Sequence, residues 1–343
     1  MDNFFNKFNE CYFIAEIGVN HNGNINLAKK MIYEAKNSGA NAVKFQTFKA
    51  ENLVSRGTPK VDYQHNTTSP DESHFEMIKK LVLGKKDHII LKKYSESLGL
   101  DFLSTPYDLD SAKFLLDLDI KMFKTASADI VDFPLQNFIA KSLKPSIVSV
   151  GMASLGEIED VINIYRNNKN SNIILLHCVS NYPCSDSSLN LKAIDTLSSA
   201  FMTPVGFSDH SKGSIASTLS VVYNVKIIEK HFTLDKNLKG PDHKASSTPL
   251  EFKEIVQSVR RAEKMIGSGI KICQKEENQM AQISRKSIVA KKNINKNEPF
   301  SYENLTLKRP GTGIMSKHLP FFIGKQSSSN IQEDQIIKFS DIK

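Results

Sequence analysis

The sequence predicts an α/β fold, a closed parallel (β/α)8 barrel, followed by a small C-terminal module. Three observations carry this. The chain has 343 residues, too many for one small core and suited to a barrel of ~250 residues plus one further module. Eight short runs have the β-branched, apolar composition of buried parallel strands. Helix-length stretches separate those runs, the pattern of repeated βα units.

In chain order the eight runs are residues 12–19 (YFIAEIGV), 42–48 (AVKFQTF), 101–107 (DFLSTPY), 122–127 (MFKTAS), 146–152 (SIVSVGM), 173–178 (IILLHC), 205–210 (VGFSDH) and 225–232 (VKIIEKHF). Between the first two, residues 26–38 space Leu27, Met31 and Ala35 four apart and end at Ser38-Gly39, which reads as a helix with its C-cap. Residues 155–166 and 250–266 repeat that pattern. The connection between strands two and three is the longest: a polar loop at 51–73, then an amphipathic stretch at 74–98. Such a loop is either a lid or surface decoration. After Gly267 the barrel pattern stops. The expected division is a barrel at 1–270, a polar linker at 271–284, and a compact region at 285–343. In that region the segments 287–292, 304–310 and 335–340 read as short strands, and its size calls for a partner surface.

Composition excludes several classes. Hydrophobic residues make up 40% and charged residues 24%, the balance of a soluble globular protein rather than a disordered or fibrous one. The longest apolar runs fall short of a membrane span, and the first residues lack a basic segment followed by an apolar stretch and a cleavage site. The expected compartment is therefore the cytoplasm. The four cysteines contain no CxxC pair, so neither a disulfide framework nor a thiolate zinc site is expected. The net charge is +8, and residues 285–343 hold eleven Lys/Arg against five Asp/Glu. No basic stripe interleaves with aromatics and there is no Trp, which points to an anionic small substrate rather than nucleic acid.

In a (β/α)8 barrel the active site lies at the C-terminal mouth, and nearly every run here finishes in polar residues: Glu16 with Asn20 and His21, Lys44 with Gln46, Thr105, Lys124 with Ser127, Ser149, His177 with Ser180, Ser208 with His210, and Glu229 with His231. An unpaired buried charge costs several kcal/mol, so this enrichment points to chemistry. His210 and His231 end consecutive strands and suit a divalent metal with open coordination positions. Either one taken singly reads more readily as a hydrogen-bonded histidine, and the pair in this setting reverses that preference. Lys44 and Lys124, with hydroxyls from Thr105, Ser127, Ser149 and Ser208, form a cationic pocket for a phosphate and a carboxylate. Lys124 also suits a Schiff-base role. Glu16 is the candidate general acid/base, with a structural ion pair to a lysine as its alternative. Asp242, His243 and Lys244 follow strand eight in a Gly-Pro turn, where substrate contact and turn stabilisation weigh equally.

Taken together and in this order, the segments AEIGVNHNG, VKFQTFKAENL, FLSTPYD, FKTAS, VSVGMAS, LHCVSNYP, GFSDHS, EKHFTLDKNLKGPDHKAS, RKSIVAKK and LKRPGTGI resemble the sialic acid synthase family. Its members make N-acetylneuraminate, legionaminate or pseudaminate from phosphoenolpyruvate and an amino-sugar aldehyde. The resemblance covers almost the whole chain. It implies a TIM barrel with a C-terminal antifreeze-like (SAF, β-clip) domain. It further implies a divalent ion, manganese with magnesium or cobalt as alternatives, on His210 and His231. Phosphoenolpyruvate would be held by Lys44, Thr105, Lys124, Ser127, Ser149, Ser180 and Ser208, with acid/base chemistry at Glu16. The implied sugar contacts are Gln46, Asp129, Tyr182, Asp242 and Arg309, the last reaching the barrel of a partner in a domain-swapped homodimer. Ser127-Ala128-Asp129 stands where many relatives read Ser-Gly-Glu, which shortens the acidic sugar contact by one methylene. Two rival readings stay open: a Schiff-base aldolase using Lys124, and a sugar-binding scaffold without catalysis.

Overall fold

The computed structural model describes residues 3–60, 68 and 71–343. Each of the eight runs forms a parallel strand: β1 Tyr12–Gly18, β2 Ala42–Thr47, β3 Asp101–Pro106, β4 Phe123–Thr125, β5 Ser146–Ser149, β6 Ile173–Cys178, β7 Val205–Asp209 and β8 Ile227–His231. The hydrogen-bonded order is β3-β2-β1-β8-β7-β6-β5-β4, so the first and last strands of the barrel are neighbours. The two ends of that order, β3 and β4, pack side by side. The sheet thus curls into a near-closed barrel with helices outside it.

Strand periodicity sorts each run into two faces. Phe13 and Ala15 of β1, Val43 and Phe45 of β2, Phe102 of β3 and Phe207 of β7 point outward and share one core with the helices. Tyr12, Ile14, Ala42, Leu103, Met122, Ile147, Ile174, Leu176 and Ile227 point inward and fill the lower barrel. A short 3-10 turn, Phe4–Lys7, closes the N-terminal end. Asn3 holds it by accepting from the Phe5 amide and donating to the carbonyls of Ser171 and Ile173. Phe5, fully buried, packs into the inner layer, and Phe8 stacks on Tyr12 with centroids 4.8 Å apart.

The outer helices start where their side chains can satisfy the first free amides. Asn24 caps Ile25–Asn37, and Ser154 with Glu157 and Thr248 with Glu251 form capping boxes on Leu155–Asn167 and Pro249–Ile266. Three expectations need correction. The stretch 74–98 is two helices, His74–Lys80 and Lys85–Ser97, because the chain turns at Gly84, whose amide is held by Asp87. The run 122–127 is extended only through Thr125, since Ser127–Val131 winds into a 3-10 turn. Within the loop 51–73, residues 61–67, 69 and 70 lie outside the described residues, while Ala50–Leu53 forms a helical turn. No helix among the described residues is long and apolar enough to cross a membrane.

The chain divides after Gly267. Ser268–Lys343 forms the second unit, which opens with the helix Asn278–Ser284 inside the expected linker. β9 Ser287–Ala290 pairs antiparallel with β10 Leu305–Lys308. The third expected strand, 335–340, contributes a single bridge, Ile336 to Val289, before a 3-10 turn begins at Phe339. Ile288, Ile294, Phe300, Leu305, Phe322, Ile331 and Ile337 give the unit a core of its own.

If Phe5 plugs the barrel, Phe5→Ala should lower stability by about 3–5 kcal/mol through the cavity it leaves. The urea midpoint of the barrel transition measures this.

Candidate active site

One step of the strand period above the apolar filling, every inward position becomes polar. Glu16 follows Ile14, Lys44 follows Ala42, Thr105 follows Leu103, Lys124 follows Met122, Ser149 follows Ile147, Cys178 follows Leu176, and Glu229 follows Ile227. Ser208 completes the ring on β7. These side chains form the floor of a cavity of about 890 Å3 at the C-terminal mouth.

The floor is an alternating charge network. The Lys44 ammonium lies 2.7 Å from Glu16 and 3.7 Å from Glu229, and donates to Thr105 Oγ1 at 3.1 Å. Lys124 lies 3.6 Å from Glu229 and donates to Ser149 Oγ at 2.6 Å. All four charged side chains are nearly inaccessible to solvent. Burial lifts the Glu16 carboxyl to about 7, against the pull of Lys44. Glu229 is held below the usual carboxylate range, because Lys124, Lys44 and His210 together outweigh its burial. The two lysines diverge in the same way. Lys44 is raised because Glu16 and Glu229 overcome its burial, whereas burial, helped by the charge of Lys44, lowers Lys124.

Glycine shapes the floor at one point. A Cβ on Gly151 would stand 2.5 Å from Ser180 Oγ and 2.9 Å from both Ser127 Oγ and Cys178 Sγ. Only a bare backbone lets three polar side chains converge there.

Above the floor stand two imidazoles. The rings of His210 and His231 are 5.6 Å apart, and Tyr182 packs on both, 4.2 Å from the first and 5.3 Å from the second. His210 Nδ1 bonds the Val179 carbonyl at 2.7 Å, which fixes its tautomer and turns Nε2 toward the cavity. His231 Nδ1 is buried without a hydrogen-bond partner. Burial lowers His210 to about 4 and His231 well below its ordinary value, so both are neutral at pH 7. An orphaned ring nitrogen and two neutral imidazoles facing one cavity fit a divalent cation. Among the described residues no third His, Cys, Asp or Glu joins them in a metal-binding group.

Around the mouth the structure has both carboxyl groups and apolar side chains. Asp242 lines the cavity, and burial alone lifts its carboxyl to about 6. Asp129 stands behind the lining with Oδ2 unpartnered, pushed to about 7 by burial and by Asp132. Burial and both of these carboxyls keep Tyr107 protonated. Val19, Phe48, Leu53, Met77, Ile78 and Leu81 form an apolar wall, supplied largely by the connection after β2.

Of the residues singled out from sequence, Glu16, Lys44, Gln46, Thr105, Lys124, Ser127, Ser149, Ser180, Tyr182, Ser208, His210, His231 and Asp242 all line this cavity. Arg309 is an exposed residue of the second unit, preceding Pro310 through a cis bond. Two strand-end histidine expectations change, and the open choice in the turn after β8 is decided. His177 points outward to the Leu189 carbonyl, because the inward neighbours on β6 are Leu176 and Cys178. His21 accepts from the Gly23 amide. In the turn after β8, His243 is buried against Thr233 at 2.7 Å and Lys244 is exposed, so only Asp242 faces the site. Cys178, Tyr107 and the apolar wall escaped sequence reasoning. Counting strand parity from Leu176 would have found Cys178.

Comparison with known proteins shows the family of the chain. The NeuB family profile matches residues 31–271 and the SAF domain profile matches residues 285–343. The chain is 47% identical to N,N'-diacetyllegionaminic acid synthase of Campylobacter jejuni over 95% of this chain and 98% of that one. It is 42% identical to the Legionella pneumophila protein of the same name, over 97% and 95% of the two chains. Among solved structures, the N-acetylneuraminic acid synthetase of Leptospira borgpetersenii superposes with a TM-score of 0.72 at 36% identity, covering 79% of this chain and 90% of that one. A sialic-acid-synthase barrel joined to a SAF domain, this chain belongs to the NeuB family.

Proposed function

We propose that this chain condenses phosphoenolpyruvate with 2,4-diacetamido-2,4,6-trideoxymannose and water, giving a nine-carbon 2-keto sugar acid of the legionaminate type and inorganic phosphate. One observation carries the reading: a floor of two buried lysines lies beneath two neutral imidazoles in a single cavity. The names of the relatives at 47% and 42% identity support the legionaminate branch.

In this reading C3 of phosphoenolpyruvate attacks the aldehyde carbon of the open-chain sugar, and the aldehyde oxygen takes a proton. Water adds at C2, one of its protons making good the proton taken by the aldehyde oxygen; the C2 hydroxyl then gives up its proton to the departing phosphate as the bond from C2 to the bridging oxygen breaks, leaving the ketone. A divalent ion on His210 and His231, Mn2+ with Mg2+ or Co2+ as alternatives, supplies Lewis-acid polarisation of a carbonyl oxygen. Lys44 and Lys124 offset the phosphate and carboxylate charges, and the hydroxyls of Thr105, Ser127, Ser149, Ser180 and Ser208 orient them. Glu16, lifted to about 7, takes the proton from the adding water when ionised. Gln46, which donates to Glu16 at 3.3 Å, contacts the sugar together with Tyr182 and Asp242. The apolar wall favours a sugar whose C6 is a methyl group over one carrying a hydroxyl. A homodimer that exchanges its C-terminal units would bring Arg309 of the partner subunit to the acidic rim, and the cytoplasm is the compartment that supplies phosphoenolpyruvate.

The direct test is phosphate release from phosphoenolpyruvate with Mn2+, comparing the trideoxy sugar with N-acetylmannosamine. Release with the trideoxy sugar is expected and should be lost with a chelator. Borohydride added during turnover is expected to leave no adduct on Lys124, whereas an adduct there would establish the Schiff-base route. Replacing the wall residue Ile78→Asn should lower kcat/KM for the trideoxy sugar about 10- to 100-fold and change that for N-acetylmannosamine far less. A base that must be ionised gives kcat/KM rising with pH through about 7. In Glu16→Gln that limb should vanish from the pH profile, with kcat down roughly 10²- to 10⁴-fold.

A further inference from the structure

Behind the two histidines, on the outer face of the barrel, lies a second buried ion pair. Asp209 and Lys230 sit directly opposite each other at the last register position of the β7–β8 ladder. The Lys230 ammonium is 3.1 Å from Asp209 Oδ2 and donates to the Ser211 carbonyl at 2.6 Å. Asp209 Oδ1 accepts from the amide and hydroxyl of Ser211 at 2.8 and 2.7 Å, and Oδ2 accepts from Ser217 Oγ at 2.6 Å. Both side chains are almost completely buried. Neither Asp209 nor Lys230 lines the cavity.

Each member precedes one of the histidines by a single residue. Strand alternation then turns Asp209 and Lys230 outward and His210 and His231 inward. The last register position of this ladder is Asp209 opposite Lys230, one residue before each histidine, and His231 is also paired with Glu16 of β1. His210 has a second anchor in the Val179 carbonyl. His231 has none on Nδ1, and its ring direction follows from its backbone and from packing on Tyr182 and His210. A buried ion pair is weak evidence of stability, since an apolar pair of similar volume serves as well. Its worth lies in fixing one geometry.

We infer that Asp209 and Lys230 are positioning residues for the metal: their ion pair clamps β7 to β8 at the point where the ladder ends and so sets the spacing of His210 and His231. The inference rests on the proposed metal-assisted reading. Loss of a group that hydrogen-bonds a ligating histidine typically weakens metal binding about 10- to 100-fold, and a clamp acting one residue away through the backbone is expected to fall within that range.

The test is the Mn2+ dissociation constant, read from the EPR signal of free Mn2+ without substrate, for the full-length protein. Asp209→Asn and Lys230→Met should each weaken binding about 10- to 100-fold. Thr47→Val disrupts another buried network, in which Thr47 bonds His88 and Ser104 at 2.9 and 2.7 Å, and should leave the constant unchanged. A role in general stability would lower the melting temperature of all three variants and move none of their Mn2+ constants. If Asp209→Asn fails to fold, Ser217→Ala removes a single bond to Oδ2 and is still expected to weaken binding. Folded Asp209→Asn and Lys230→Met, or folded Ser217→Ala, binding Mn2+ as wild type does would overturn the clamp. Wild type binding no Mn2+, or His210→Ala binding it equally well, would instead overturn the metal reading and the clamp with it.

Discussion

Everything at the mouth of this barrel depends on the mutual neutralisation of Lys44, Glu16, Glu229 and Lys124. Each of the four is buried, and any one alone would cost several kcal/mol in that position. Together they form a chain of contacts of 2.7 to 3.7 Å. The cluster draws one residue each from β1, β2, β4 and β8, so it exists only when the two ends of the barrel sequence have met. Chemistry and closure of the fold therefore share one set of interactions. In the proposed reaction an anionic substrate would compete with Glu16 and Glu229 for the lysines, which would bring both carboxylates next to the reacting atoms.

Much of this was legible in the chain itself because a parallel barrel has a strict grammar. Strand number, strand order and the location of the mouth follow from eight apolar runs, and polar residues ending those runs must face either the mouth or a partner. What remained hidden has physical causes. Parity decided between His177 and Cys178, and the motif LHC reads equally well in either register until the inward face is fixed by Leu176. Glu229 was visible at a strand end, but its role as the carboxylate between both lysines depends on curvature that brings β2 and β4 toward β8. The apolar wall was disguised as ordinary helix core: Met77, Ile78 and Leu81 have helical spacing, and nothing local shows that this face looks onto a cavity. His243 and Asp242 are adjacent in one turn, yet one is structural and the other faces the site.

The two lysines show how little residue type alone decides. They lie on the same floor, both enclosed, yet Lys44 is raised and Lys124 is lowered. The difference is one extra carboxylate: Glu16 stands 2.7 Å from Lys44, while Lys124 has neutral hydroxyl and carbonyl partners at its closest approach.

The floor and the wall of the cavity come from different kinds of structure. The groups suited to the phosphorylated partner are built into barrel strands, where a one-residue slip would turn every side chain to the wrong face. The apolar wall comes mainly from the excursion between β2 and β3, outside the strand register. Descendants of this chain can therefore rewrite that excursion, accepting insertions and exchanges of side chains, while the strands stay under tight constraint. Divergence of sugar preference within such a lineage is expected to leave its record in residues 48–81 rather than in the strands beneath them.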